Sequence, residues 1–191
     1  MSSVSCTAGP SDGRRRKAER RPKRPKPEWR RFSTGWPARS PQSGATALLH
    51  NDYRLDNCLL DTADPARIVA VMDWDMCTQG DPLADLGYVL NYWVEPGDQI
   101  EWREIAAMPT WREGFQSRAE AIRRYAERTG FDVGAVGWHQ VFAAFKLAVI
   151  IQQIYIRWVR GQTQDPRFRS YGRRVLGLAE KAQRLIAAGR L

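Results

Sequence analysis

Several common protein classes are argued against by what this sequence has little of. Its three cysteines, Cys6, Cys58 and Cys77, are an odd set without metal-ligand spacing. That argues against a disulfide framework and fits a reducing, cytoplasmic setting. Cys58 lies in an apolar run and reads as a small core residue. No apolar h-region opens the chain, so no secretory signal is read. The most apolar stretch, Val141 to Val159, is broken by Lys146, Gln152, Gln153 and Arg157. It is too polar for a membrane span and predicts a buried helix. No internal repeat is present.

The net charge of +9 is unevenly spread. Residues 1–46 hold 12 of the 30 basic and 3 of the 21 acidic residues, so residues 47–191 carry 18 of each and are neutral. The overall basicity is therefore no guide to the ligand of the folded part. Residues 1–44, with Arg14-Arg15-Arg16-Lys17 and Arg20-Arg21-Pro22-Lys23-Arg24-Pro25-Lys26-Pro27, have no apolar periodicity. Such a segment cannot bury enough surface to offset its ordering entropy, which predicts a disordered basic tail or a mis-assigned start. Without aromatic interleaving or a fold motif the tail predicts no specific nucleic-acid partner, although it would attract an acidic surface electrostatically.

Order is expected over residues 45–191. Ala45 to His50, Cys58-Leu59-Leu60 and Ile68 to Met72 are short apolar runs suited to buried strands, and Asp61 to Ala66 carries turn chemistry, so the last two runs read as a hairpin. Asp81 as N-cap and Pro82 as first residue predict a helix to about Trp93. A capping box, Ser117-x-x-Glu120, and Gly130 bound a second helix. Asp132 is a candidate cap for a long third helix through Val159, and Val175, Leu178, Ala182 and Leu185 form the apolar stripe of a fourth. The fold class predicted is α+β, a small hairpin unit followed by a helical bundle. Trp93, Trp102, Trp111, Trp138 and Trp158 sit at helical spacing and read as core rather than a stacking platform.

The chemistry is concentrated in His50-Asn51-Asp52-Tyr53-Arg54-Leu55-Asp56-Asn57 and Met72-Asp73-Trp74-Asp75. The hairpin returns the end of its second strand beside the start of its first, so Asp73 is expected near Asn57 and within reach of Asp52. Mg²⁺ takes oxygen ligands, one or two from protein and the rest from phosphate and water. Asn57 and Asp73 are the pair that would supply them. A separate carboxylate must face the acceptor hydroxyl and take its proton, and Asp52 has that place.

The motif His-x-Asp-x-x-x-x-Asn, followed by strand, turn, strand and Asp, resembles the catalytic loop and metal-binding Asp of the kinase fold. With Gly80-Asp81-Pro82-Leu83-Ala84-Asp85-Leu86-Gly87 it is similar to the aminoglycoside-phosphotransferase superfamily, closest to the phosphotransferases related to the kinase part of acyl-CoA dehydrogenase fusion proteins. His-Asn-Asp at the start is also used by choline and ethanolamine kinases. The resemblance covers roughly residues 45–190. It implies a kinase-like C-lobe that phosphorylates a small-molecule hydroxyl with ATP and Mg²⁺, and it implies that Asp85 braces the catalytic loop. The acceptor it suggests first is a hydroxyacid or hydroxyacyl-CoA, then an amino-alcohol or aminoglycoside. Residues 94–140 hold 8 acidic and 6 basic residues, which argues against a polycationic acceptor.

His50 reads as structural rather than as a general base. Arg54 is read either as a phosphate contact or as a surface ion pair, and Asp75 either as a neighbour of the metal's ligands or as a solvated turn carboxylate. The N-lobe of that family carries a nucleotide-covering loop and a strand Lys. Only 49 residues precede His50, without such strands or a Gly-rich loop, and Lys17, Lys23 and Lys26 lie among prolines and arginines. The N-lobe is therefore expected to be missing and the chain alone to be a poor kinase. The rival reading is a non-catalytic, pseudokinase-like binding module whose basic tail meets an acidic partner.

Overall fold

Among the described residues, short apolar runs separated by turn residues give three short strands, a fourth forms against the first, and the longer periodic segments give four helices. The computed structural model describes residues 41, 44–98, 102–103 and 108–188. The segment read as a basic tail, apart from positions 41 and 44, lies outside the described residues. The observed class is mixed, with two small sheets and a helical bundle.

Strands β2 (Cys58–Leu60) and β3 (Ile68–Val71) form the expected hairpin, antiparallel, with a register irregularity between Leu59 and Leu60. Its turn works by the expected side-chain chemistry. Asp61 Oδ1 accepts from Ala63 N–H, and Asp64 Oδ1 accepts from Ala66 N–H. The expectation of buried strands is corrected here. Leu59, Leu60, Ile68 and Val69 are exposed, and Cys58 is only half-buried, because no described element packs extensively on this two-stranded sheet.

Strand β1 (Ala47–Leu49) pairs antiparallel with β4 (Thr78–Gly80), a strand without an apolar run of its own. A Cβ on Gly80 would stand 2.9 Å from Leu49 Cδ1, so glycine lets buried Leu49 lie across the pair.

Helix α1 spans Leu83–Tyr92, α2 Arg118–Thr129, α3 Val136–Val159 and α4 Tyr171–Ala187. Asp81 does satisfy a first-turn donor, Leu83 N–H, although Pro82 rather than Asp81 is the flanking residue. The capping box of α2 forms in both directions, and Gly130 closes the helix at φ 72°. Asp132 does not cap α3. Its carboxylate folds back onto Gly134 N–H, and Ala135 is the flanking residue.

By length and composition α3 would suffice to cross a bilayer, yet here it is the central helix of the bundle, packed against α1 and α4. Tyr88, Tyr92, Met108, Leu147, Val175 and Leu178 share one core. Ala182 is buried with Val141 and Ala144, and Leu185 packs at their edge. None of the five tryptophans is fully buried, and Trp93 packs against the main core from its margin.

The α1–α3 crossing depends on Gly87. A Cβ there would lie 2.6 Å from the backbone carbonyl carbon of His139. Around this contact Asn91 Nδ2 donates to the carbonyls of Gly87 and Gln140, and Gln140 Nε2 donates to Leu90 O. Beyond α1, Arg118 donates to both Asp98 oxygens, at 2.6 and 2.9 Å, and pairs with Glu95 at 2.7 Å. Burial pulls Asp98 up, but the hydrogen bonds from Arg118 and from Glu95 N–H, together with the charges of Arg118 and Lys181, outweigh it and hold the carboxyl below its ordinary range.

Lys181 enters the core from α4 with only 3% of its surface exposed. Its ammonium donates to Asn91 O and lies over the Trp102 ring. Burial first, and then the nearby Arg118, pull its pKa down to about 7, against the opposing pull of Asp98 and Glu95. The unfolded chain therefore binds more protons than the folded one between about pH 7 and the ordinary lysine value of 10.5. Stability against urea should rise with pH across that window. In Lys181→Met the rise should be largely abolished, and an undiminished slope would show that another group causes it.

Candidate functional site

Asp85 stands on the first turn of α1, and its two oxygens point back at the chain leaving β1. Oδ2 accepts from His50 N–H at 2.6 Å and Oδ1 from Asn51 N–H at 2.7 Å. Asn51 is in the left-handed region, φ 65°, which an Asn tolerates better than most residues. Its side chain reinforces the conformation, with Nδ2 donating to Met76 O and to Thr78 Oγ1, both at 2.9 Å.

His50 is buried, and backbone occupies both of its ring nitrogens. Nε2 donates to Met72 O at 2.7 Å, which leaves Nδ1 to accept from Asp52 N–H at 3.2 Å. The ring also packs against Trp74, with centroids 4.7 Å apart. His50 thus ties the loop to the end of β3.

Asp52 follows, half-buried, at the turn of the loop. Asn57, in the 3₁₀ turn Leu55–Asn57, donates from Nδ2 to Asp52 O at 2.8 Å and to Asp52 Oδ2 at 3.3 Å. Across the hairpin Met72 N–H donates to Asn57 O. Asp73 is the next residue, also left-handed at φ 62° and exposed. The structure thus joins Asp52 to Asn57 directly, and the hairpin pairs Asn57 with Met72, the residue before Asp73.

The donor set suits a hard, oxygen-seeking cation. Because the Asn57 amide nitrogen is committed to Asp52, its Oδ1 is left without a donor among the described residues. The Asp73 carboxylate has neither a hydrogen bond nor an ion pair among them. Among the described residues no three His, Cys, Asp or Glu side chains cluster as a metal site. Mg²⁺ needs no such cluster, since it commonly keeps water and phosphate oxygens beside one or two protein ligands.

Arg54 Nε lies 3.6 Å from Asp52 Oδ2, and its Nη1 lies 3.8 Å from Asp56. The guanidinium covers the Tyr92 ring, and its buried Nε has no hydrogen-bond partner. Burial, and then the charge of Asp52, raise the Tyr88 pKa, while burial followed by the neighbouring Tyr88 raises that of Tyr92. Tyr53 is pushed to about 12, again first by burial. These phenols stay protonated at neutral pH and act as donors and packing surfaces. Asp75, in the 3₁₀ turn Trp74–Met76, is exposed and has no ion pair among the described residues.

Asn51 and Lys146 were not singled out from sequence. The Lys146 ammonium reaches Asn51 Oδ1 at 3.4 Å. A signal for it did exist, because Lys146 is the one charged residue between Val141 and Ile156.

Removing the Asp85 carboxylate would strand two partly buried backbone donors. Asp85→Ala should cost about 3 kcal/mol in urea unfolding, and Asp85→Asn, which keeps one acceptor, should cost less. A loss below about 0.5 kcal/mol for the alanine variant would show that water replaces the carboxylate freely.

Comparison with known proteins places the chain in a family. Residues 7–131 match APH, the Phosphotransferase enzyme family. The chain is 29% identical over 157 residues to acyl-CoA dehydrogenase family member 10 of Mus musculus, covering 82% of this chain and 15% of that protein. It is 28% identical over 159 residues to the probable acyl-CoA dehydrogenase IBR3 of Arabidopsis thaliana, covering 79% of this chain and 19% of that protein. It therefore spans less than a fifth of the length of these relatives. No solved structure matches it significantly. The chain belongs to the APH phosphotransferase enzyme family.

Proposed function

We propose that the chain is the catalytic and metal-binding half of an ATP-dependent small-molecule kinase. The observation that carries this reading is the junction of Asp52, Asn57 and the end of β3, built from Asn57 Nδ2 on Asp52 and Met72 N–H on Asn57 O. Mg²⁺ and the nucleotide, when bound, would supply the phosphoryl group and neutralise its charge. Asn57 Oδ1 and the Asp73 carboxylate would hold the metal. Asp52, kept off the metal by its own hydrogen bond to Asn57, would orient the acceptor hydroxyl and take its proton. Arg54, beside Asp52 with an unsatisfied Nε, would face the transferred phosphoryl group.

The reading extends to architecture. The described part corresponds to a kinase-like C-lobe whose partner lobe would pack on the exposed apolar surface of Leu59, Leu60, Ile68, Val69 and Trp74. The described residues alone would bind ATP weakly and turn over slowly, because phosphoryl transfer relies on positioning the triphosphate from both sides. The acceptor proposed first is a hydroxyacid or hydroxyacyl-CoA in the cytoplasm. The acyl-CoA dehydrogenase names of the relatives support that choice.

The test is transfer of labelled γ-phosphate from ATP to a hydroxyacyl acceptor with protein in excess. Asp52→Asn should lower kcat by roughly 10²–10⁴-fold while nucleotide affinity stays near that of the wild type. Transfer retained in this variant would remove Asp52 from its proposed role.

A further inference from the structure

We propose that Lys146 is a positioning residue for phosphoryl transfer, acting from α3 through Asn51 on Asp52. The proposal rests on the kinase reading of the site. The Asn51 amide nitrogen is fully engaged by Met76 O and Thr78 Oγ1, so its oxygen is turned by necessity toward α3. There the Lys146 ammonium meets it at 3.4 Å. The same ammonium stands 5.7 Å over the Tyr88 ring, and Tyr88 senses the charge of Asp52. Lys146 is half-buried on α3, next in sequence to buried Leu147.

The consequence follows from backbone geometry. Asn51 holds a left-handed conformation, which costs a non-glycine residue about 1–2 kcal/mol unless its surroundings compel it. Asp85 grips its N–H, the 74–78 segment grips its amide nitrogen, and Lys146 grips its amide oxygen. The next residue is Asp52. A relaxed Asn51 would rotate the peptide that aims the Asp52 carboxylate and would disturb the Asn57 bond to Asp52 O. Lys146 is not among the residues proposed to hold metal or nucleotide, so its loss should act on the proton-accepting step rather than on binding.

Lys146→Met keeps the length and the apolar stem while removing the donor, and Lys146→Arg restores a cationic donor. The two variants are compared with the wild type and with Asp52→Asn in γ-phosphate transfer under protein excess, and by amide hydrogen exchange over residues 50–57. Lys146→Met should lower kcat roughly 10–100-fold with KM for ATP nearly unchanged, and Lys146→Arg should recover much of the loss. Exchange over residues 50–57 should speed up in Lys146→Met while the core of α3 and α4 stays protected, which a merely structural role would not produce. Wild-type kcat in Lys146→Met, or a fall in kcat matched by a loss of global stability with faster exchange throughout α3 and α4, overturns the inference and leaves the kinase reading standing. Absence of Asp52-dependent transfer in the wild type instead overturns the kinase reading, and this role for Lys146 with it.

Discussion

One carboxylate organises this site. Asp85 receives two consecutive backbone N–H groups, those of His50 and Asn51, and by doing so fixes how the chain leaves β1. A residue held at φ 65° does not stay there by intrinsic preference. Its neighbours are then determined. His50 is turned so that its ring bonds Met72 O, and Asp52 is presented at the loop turn with Asn57 folded back against it. Asp85 itself is placed by α1, whose start is secured by Asp81 on Leu83 N–H and whose contact with α3 requires the missing side chain of Gly87. The Gly80–Gly87 segment thus does two jobs. Its glycine sets the bundle, and its second aspartate carries that setting into the loop.

Much of this was legible in the sequence because it is local. The hairpin, its Asx-stabilised turn, the capping box of α2 and its glycine stop are all decided within a few residues, and each formed as read. The pairing of Asn57 with the end of β3 was equally readable, since hairpin register is set by turn and strand length. What escaped depends on distant partners. Strand β4 has no apolar signature and exists because β1 lies beside it. Asp132 had two competing acceptor geometries, and the tight turn onto Gly134 won over the helix start. Lys146 read only as an interruption of an apolar stretch, and Lys181 was not singled out. Their roles come from Asn51, 95 residues away, and from Asn91, 90 residues away. The exposure of the hairpin was also invisible, because an apolar run does not say which layer covers it.

The same exposure connects structure to function. A two-stranded sheet with Leu59, Leu60, Ile68 and Val69 open to solvent is unstable in isolation, as hairpins generally are without a third strand or a covering layer. The relatives are more than five times longer than the part they share with this chain. Under the proposed reading these two facts belong together. The described residues carry the chemistry, and the surface beside that chemistry is where further structure completes the grip on nucleotide.

The account turns on a division of labour within one short loop, in which Asn57 and Asp73 hold metal and Asp52 does not. Titration of the chain with Mn²⁺ in the presence of ATP, followed by water-proton relaxation, separates the two roles directly. Asn57→Ala and Asp73→Ala should each weaken Mn²⁺ binding roughly 10–100-fold, while Asp52→Asn stays close to the wild type. Equal affinity in all four proteins, or a loss confined to Asp52→Asn, would contradict it.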